Sequence, residues 1–305
     1  MSTIMLNTSV YLKLTHPADP ELQSKAEWFC RQPGLDCHYL DHPNRDNHLY
    51  QPDQARKGSK ERLIKEASPP VLHITRKGVF AESVEFSNNA DKRFSFHPSM
   101  ALLRLIEINR GGADRFLRAT GIQSGDRFLD GTLGLGTDSL VAAYQVGEEG
   151  RILAIEHSAL LAALVRDGLA TLSRKPNPNK NNPEKSRAWS DLAEAAQRIE
   201  VLWGDHGQIL SQLSADSFDI VYFDPMFRRT CEESASMRPL HQFSNPEPLG
   251  LAAITEAARV ATKRVVLKER KGSGEFARLG FTVAAGGKYS EVDYGIINRS
   301  REEHS

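Results

Sequence analysis

The sequence predicts an α/β protein: a mostly parallel sheet of seven strands with a closing antiparallel hairpin, preceded by a small N-terminal α/β subdomain. Three observations carry this expectation. From Ala113 onward, short β-like runs alternate with helical runs of about 10–15 residues, the rhythm of βαβ units. One run, Phe218-Asp-Ile-Val-Tyr-Phe223, is nearly all apolar, as a strand buried on both faces is. A glycine-rich stretch, Asp130-Gly-Thr-Leu-Gly-Leu-Gly-Thr-Asp138, separates a short strand from a helix.

In chain order, Ser9–Leu14 reads as a strand, Glu21–Arg31 as a helix, and Pro33–Ser59 as a polar, turn-rich region. Pro69-Pro70 introduces an alternating strand, Val71–Thr75, and Lys77-Gly78 turns the chain into Val79 and Phe80. These elements assign 1–95 to the small subdomain and 96–305 to the main domain. His97-Pro98 opens a helix over Met100–Asn109 that Gly111-Gly112 ends. His97 reads as a helix-start residue or a support for a ligand-site wall. Arg127–Asp130, Ile152–Glu156, Ile199–Trp203, Phe218–Phe223 and Arg264–Lys268 are five strands. Helices follow over Asp138–Val146, Leu160–Leu172 and Leu249–Ala261, and Phe281–Ala284 with Tyr294–Asn298 forms the closing hairpin. One stretch breaks the rhythm. Residues 174–190 read as a surface insertion, and its Arg174–Arg187 part holds five cations, one anion and three prolines, open to a role as a mobile phosphate-touching arm.

Composition removes whole classes of function. Thirty-nine Lys+Arg balance 39 Asp+Glu, so a generally polybasic coat is excluded and any nucleic-acid contact must be a local patch. Forty per cent of residues are hydrophobic, enough for a packed core. Three cysteines, Cys30, Cys37 and Cys231, form no Cys-x-x-Cys pair, so neither a disulfide framework nor a metal centre is expected, even with His38 beside Cys37. Met1–Pro20 lacks a basic segment followed by an apolar one, and no apolar run approaches the ~18 residues of a membrane span. A cytoplasmic protein is expected.

The glycine stretch carries the first chemistry. Its glycines, 131, 134 and 136, allow a tight turn and close backbone approach to a ligand, and Glu156, at the end of the next strand, is placed to accept from both ribose hydroxyls. A dinucleotide fingerprint, Gly-x-Gly-x-x-Gly, fails by one residue at Gly134-Leu-Gly-Thr-Asp-Ser139. Asp130 and Asp138 would repel a cofactor phosphate, whereas the cationic, phosphate-free S-adenosylmethionine (SAM) suits an acidic loop. Asp205 offers an acceptor for the adenine amine. The second chemistry is Asp224-Pro-Met-Phe227, directly after the apolar strand. Asp224 and the Pro225 carbonyl can accept the two protons of an exocyclic amine, turning its lone pair toward an electrophile, while Phe227 stacks on the base. Lys268 and Glu269 end the fifth strand, either lining a substrate cleft or serving as an ordinary charged strand end.

On these motifs, with Phe96-His-Pro-Ser-Met100, Ile155-Glu-His-Ser158, Ala163-Leu-Val-Arg-Asp-Gly-Leu169 and Ala261-Thr-Lys-Arg-Val-Val-Leu-Lys268, the sequence resembles the class I SAM-dependent methyltransferases. More closely, it resembles the family of the small-subunit ribosomal RNA guanine-N2 methyltransferase J and its uncharacterised Gram-positive-type relatives. The resemblance covers roughly 95–298. It implies a Rossmann-like fold, SAM as cofactor, small-subunit ribosomal RNA as partner and the guanine N2 amine as acceptor. It implies cofactor contacts from Asp130, Gly131, Gly134, Gly136, Thr137, Asp138, Glu156, His157, Asp205 and Asp224, with Asp224, Pro225 and Phe227 catalytic. Arg228-Arg-Thr-Cys-Glu-Glu-Ser234 departs from that family's lysine-rich run, and the N-terminal region is unlike that enzyme's. An NAD-dependent oxidoreductase, a non-catalytic RNA-binding module, and methylation of a protein Gln/Asn, a DNA adenine or a small-molecule amine remain alternatives.

Overall fold

A computed structural model of the chain describes residues 7–40, 69–82, 93–225, 248–284, 287 and 290–299. Among the described residues, contacts group those up to Ser95 into one unit and those from Phe96 onward into another.

The first unit is a mixed five-stranded sheet. Strands β1 (Thr8–Leu14) and β2 (Leu35–Tyr39) are parallel and joined by helix α1 (Pro20–Cys30), which Asp19 caps through Glu21 N–H at 3.0 Å with Pro20 in the first turn. Strand β3 (Val71–Thr75) lies parallel to β1, and β4 (Gly78–Glu82) and β5 (Arg93–Phe94) add antiparallel neighbours. The order is β2-β1-β3-β4-β5. Strand β2 corrects the expectation of turns from Pro33 onward. Leu35-Asp-Cys-His-Tyr39 has little strand signal of its own and is drawn into the sheet by the ladder that β1 offers.

The second unit is the expected Rossmann-like sheet. Helices α2 (Ser99–Asn109) and α3 (Arg115–Thr120) lead into β6 (Arg127–Asp130), α4 (Thr137–Val146), β7 (Arg151–Glu156) and α5 (Ala159–Leu172). Helix α6 (Pro183–Ala195), β8 (Ile199–Trp203), α7 (His206–Gln212) and β9 (Phe218–Phe223) follow. Last come α8 (Leu251–Val260), β10 (Ala261–Arg270), α9 (Glu275–Arg278), β11 (Thr282–Ala284) and β12 (Val292–Asn298). Strand order is β11-β12-β10-β9-β6-β7-β8, with only β12 antiparallel to its neighbours. Connections run outward from β6 through β7 to β8, then return to β9 on its other side. The carboxyl ends of β6 and β9 therefore meet where the strand order reverses, the crevice in which α/β sheets hold ligands. Beneath that crevice, Leu129, Val221, Phe223, Val265 and Leu267 are buried in the core.

The 174–190 insertion is more ordered than expected. From Pro183 it is helix α6, with Asn182 capping Lys185 N–H at 2.9 Å. Asn177 donates to the Ser186 carbonyl at 3.0 Å, and Arg110 grips Glu184 at 2.6 and 2.7 Å. The segment leaves α5 and returns to the start of β8, so it lies toward the amino edge of the sheet, away from the β6–β9 crevice. None of the described helices is long and apolar enough to cross a membrane.

Candidate active site

Asp130 is the last residue of β6 and is 1% exposed. Its carboxylate accepts from Thr132 N–H at 3.0 Å and from Ser139 Oγ at 2.7 Å. Among the described residues no cation lies within ion-pair distance of it. Burial pushes its carboxyl up to about 7, against those two hydrogen bonds. Glu156 ends β7, also buried, and accepts from Gly134 N–H at 2.9 Å and Ser158 N–H at 2.8 Å. Burial likewise raises it to about 7. Two buried acids thus flank the glycine loop, and one of them ties the loop down.

The three glycines have different tasks. A Cβ on Gly131 would sit 2.4 Å from Cε1 of buried Phe223, so this glycine serves strand packing rather than ligand approach. Gly134 has φ +54° and nothing within 4 Å of where its Cβ would stand, which leaves open space beside the loop. Gly136, at φ +75°, caps α4, and Thr137 begins that helix, half-buried. Trp203 Nε1 donates to the His157 carbonyl at 3.0 Å, while His157 Nδ1 is buried with no partner among the described residues. Asp205 caps α7 through Gln208 N–H at 2.9 Å, at the carboxyl end of β8. His97 is exposed.

Asp224 follows β9, next to the glycine loop, and its N–H donates to Thr132 Oγ1 at 2.6 Å. Pro225 continues the edge; Phe227, the expected stacking residue, lies outside the described residues, as does Arg228–Ser234. Asp138 is turned to a network of its own. It is paired with Arg104, accepts from Tyr222 Oη at 2.7 Å, and lies 3.1 Å from Lys268 Nζ. Burial would raise its carboxyl, but Lys268 and Arg104 hold it at about 2. Its charge is therefore balanced, so the uncompensated acidity of the loop resides in Asp130 instead.

Lys268 is the residue that sequence reasoning undervalued. It does not end an exposed strand: its ammonium sits 2.6 Å from Asp224 Oδ2 and bridges to Asp138. Burial disfavours its charge, yet the two carboxylates hold it well above the ordinary lysine range. Burial pushes the Asp224 carboxyl up against the pull of Lys268. The available signal was a lysine directly after the apolar Val265-Val-Leu267, and an arginine, Arg104, interrupting the apolar run of α2.

The residues fit SAM on the structure's own terms. A buried, cation-free carboxylate at Asp130 suits an ammonium group. The open space at Gly134 admits a ligand against backbone, and the orphan Nδ1 of His157 lies one residue beyond Glu156, the acid expected at a ribose. Asp130 gives this fit a pH signature. Its folded pKa lies above the unfolded value, so the contribution of Asp130 to apo stability is present below the ordinary carboxylate range and lost as pH rises through about 7. Cation binding has the opposite sense, because only ionised Asp130 attracts it. Affinity for SAM should rise roughly tenfold between pH 6 and 7.5, as measured by isothermal calorimetry. A flat profile would remove Asp130 from the ammonium site.

Comparisons with known proteins agree. A family described as "Putative SAM-dependent methyltransferase" matches residues 61–290. An uncharacterised protein of Bacillus subtilis, YpiP, is 36% identical over 248 residues, 80% of this chain and 88% of that one. Ribosomal RNA small subunit methyltransferase J of Pseudomonas paraeruginosa is 32% identical over 164 residues. That match spans 52% of this chain and 56% of the relative, about half of its length. A SAM-dependent methyltransferase of Neisseria gonorrhoeae shares the fold, with a TM-score of 0.51 over 95% of each chain at 16% identity. With the family matched over most of the sequence, the chain belongs to the SAM-dependent methyltransferase family, and SAM is its cofactor.

Proposed function

We propose that this enzyme methylates the exocyclic N2 amine of a guanine in small-subunit ribosomal RNA, in the cytoplasm. The observation that carries the reading is the placement of Asp224-Pro225 at the carboxyl end of β9, beside the glycine loop that follows β6. The similarity to ribosomal RNA small subunit methyltransferase J supports the substrate class.

SAM supplies an electrophilic methyl on a sulfonium, which leaves as a neutral thioether. The chain supplies position. An aromatic amine is a weak nucleophile because its lone pair is delocalised into the ring. Acceptors at Asp224 and the Pro225 carbonyl would draw its N–H bonds into one orientation and turn the lone pair toward the methyl. The nitrogen gains the methyl and releases one proton to water. A carboxylate is acceptor-only, which suits guanine, where a second donor, N1–H, lies beside the N2 amine. Adenine presents an acceptor at that place. A paired base cannot enter such a crevice, so the target is single-stranded or flipped out.

The test is label transfer from methyl-labelled SAM to small ribosomal subunits lacking their base methylations. Label should enter RNA and be recovered as N2-methylguanosine after digestion to nucleosides. Label in protein, or on adenine, would overturn the substrate.

A further inference from the structure

We propose that Lys268 is a positioning residue for methyl transfer: it holds one oxygen of Asp224 so that the other is presented, in one orientation, to the target amine. This rests on the role given above to Asp224.

Strand register makes the pairing. Strands β9 and β10 are parallel, with Val266 opposite Tyr222 and Leu267 opposite Phe223, so Lys268 comes abreast of Asp224 at the carboxyl edge. Lys268 Nζ is 2.6 Å from Asp224 Oδ2, and among the described residues nothing donates to Oδ1. Free rotation of a carboxylate would average its two oxygens; a short ion pair to one of them removes that freedom.

The clamp is itself fixed from behind. Lys268 also reaches Asp138 Oδ2 at 3.1 Å, and Tyr222 Oη donates to that same oxygen at 2.7 Å. Arg104 takes the other oxygen of Asp138 and binds Asp114 through two contacts, at 2.8 and 3.0 Å. Asp114 caps α3 by accepting from Leu117 N–H at 3.0 Å. Acid and base alternate along Asp114, Arg104, Asp138, Lys268 and Asp224, drawing on α2, α4, β10 and the segments beside α3 and β9. Each charge is held by its neighbours, so the ammonium cannot swing toward solvent without abandoning the buried carboxylate of Asp138 and the half-buried one of Asp224. Such supporting contacts are what keep a reacting group within the few tenths of an ångström that transfer requires.

A mutant cycle on label transfer tests this. Lys268→Met should bind SAM within about threefold of wild type. Its kcat should fall on the order of 100-fold with KM for the RNA substrate unchanged, and Lys268→Arg should recover at least about tenfold of that loss. In an Asp224→Asn background, Lys268→Met should change kcat by less than about threefold, because a residue that acts through Asp224 has nothing left to position. Equal losses in both backgrounds, an unaltered Lys268→Met enzyme, or failure of arginine to rescue would each overturn the proposal. If Lys268→Met alone fails to fold, the Lys268→Met/Asp224→Asn pair, which removes both members of the ion pair, is compared with Asp224→Asn. The cycle is run on whichever acceptor the wild-type enzyme labels in unmodified subunits. A non-guanine product would then reject the substrate while the cycle still judges Lys268.

Discussion

Replacing Asp130 with alanine should cripple SAM binding: calorimetry should show affinity on the order of 100-fold weaker or worse, and turnover should vanish with it. The reason lies in burial. Asp130 is 1% exposed and the described residues give it no cation, so an incoming ammonium is its natural counter-ion. Alanine also strands two donors, Thr132 N–H and Ser139 Oγ, at a cost of about 1–3 kcal/mol in stability. Asp130→Asn separates the two effects. It keeps the shape and an acceptor, and it relieves the apo protein of an acid that burial forces up to about 7. The apo Asn variant should therefore melt no lower than wild type at pH 8 and still fail to bind. Full SAM affinity in either variant would sink the cofactor site.

Asp224→Ala should do the reverse. SAM affinity should stay within a few-fold of wild type, while kcat drops by roughly 10²–10³, the range found when one positioned hydrogen-bonding group is deleted from a reacting centre. The fold should survive, because Lys268 keeps Asp138 as a partner and the contact to Thr132 comes from the backbone of residue 224. Single-turnover measurements with saturating SAM would isolate the chemical step. Loss of cofactor binding with retained chemistry would reverse the assigned roles of Asp130 and Asp224.

How much of this was legible in the sequence depends on the range of the interaction. The glycine loop, Glu156 and Asp224-Pro225 are local signals: a strand end, a turn and an acid at a fixed offset. They fall together because every strand in a parallel sheet delivers its last residue to the same edge. What stayed hidden is long-range. Nothing near Lys268 in sequence announces that Asp138 and Asp224 will meet it, since those partners are 130 and 44 residues away. Asp138 reads in the sequence as a second acid facing the ligand, but in the fold Arg104, Tyr222 and Lys268 occupy it. Gly131 looked like a ligand-approach glycine, yet the ring it makes room for belongs to Phe223. Strand β2 emerged only because a neighbour offered it hydrogen bonds. The charge-dense insertion failed in another way: its composition masked a capped helix.

The assignment of the β6–β9 crevice as the methyl-transfer site is tested most directly by a crystal structure of the enzyme with S-adenosylhomocysteine, the demethylated product of the cofactor. The amino-acid portion should lie against Asp130 and the loop at Gly134, the ribose hydroxyls against Glu156, and the sulfur should face Asp224. A ligand bound elsewhere on the sheet, or seated with its sulfur turned away from Asp224, would contradict it.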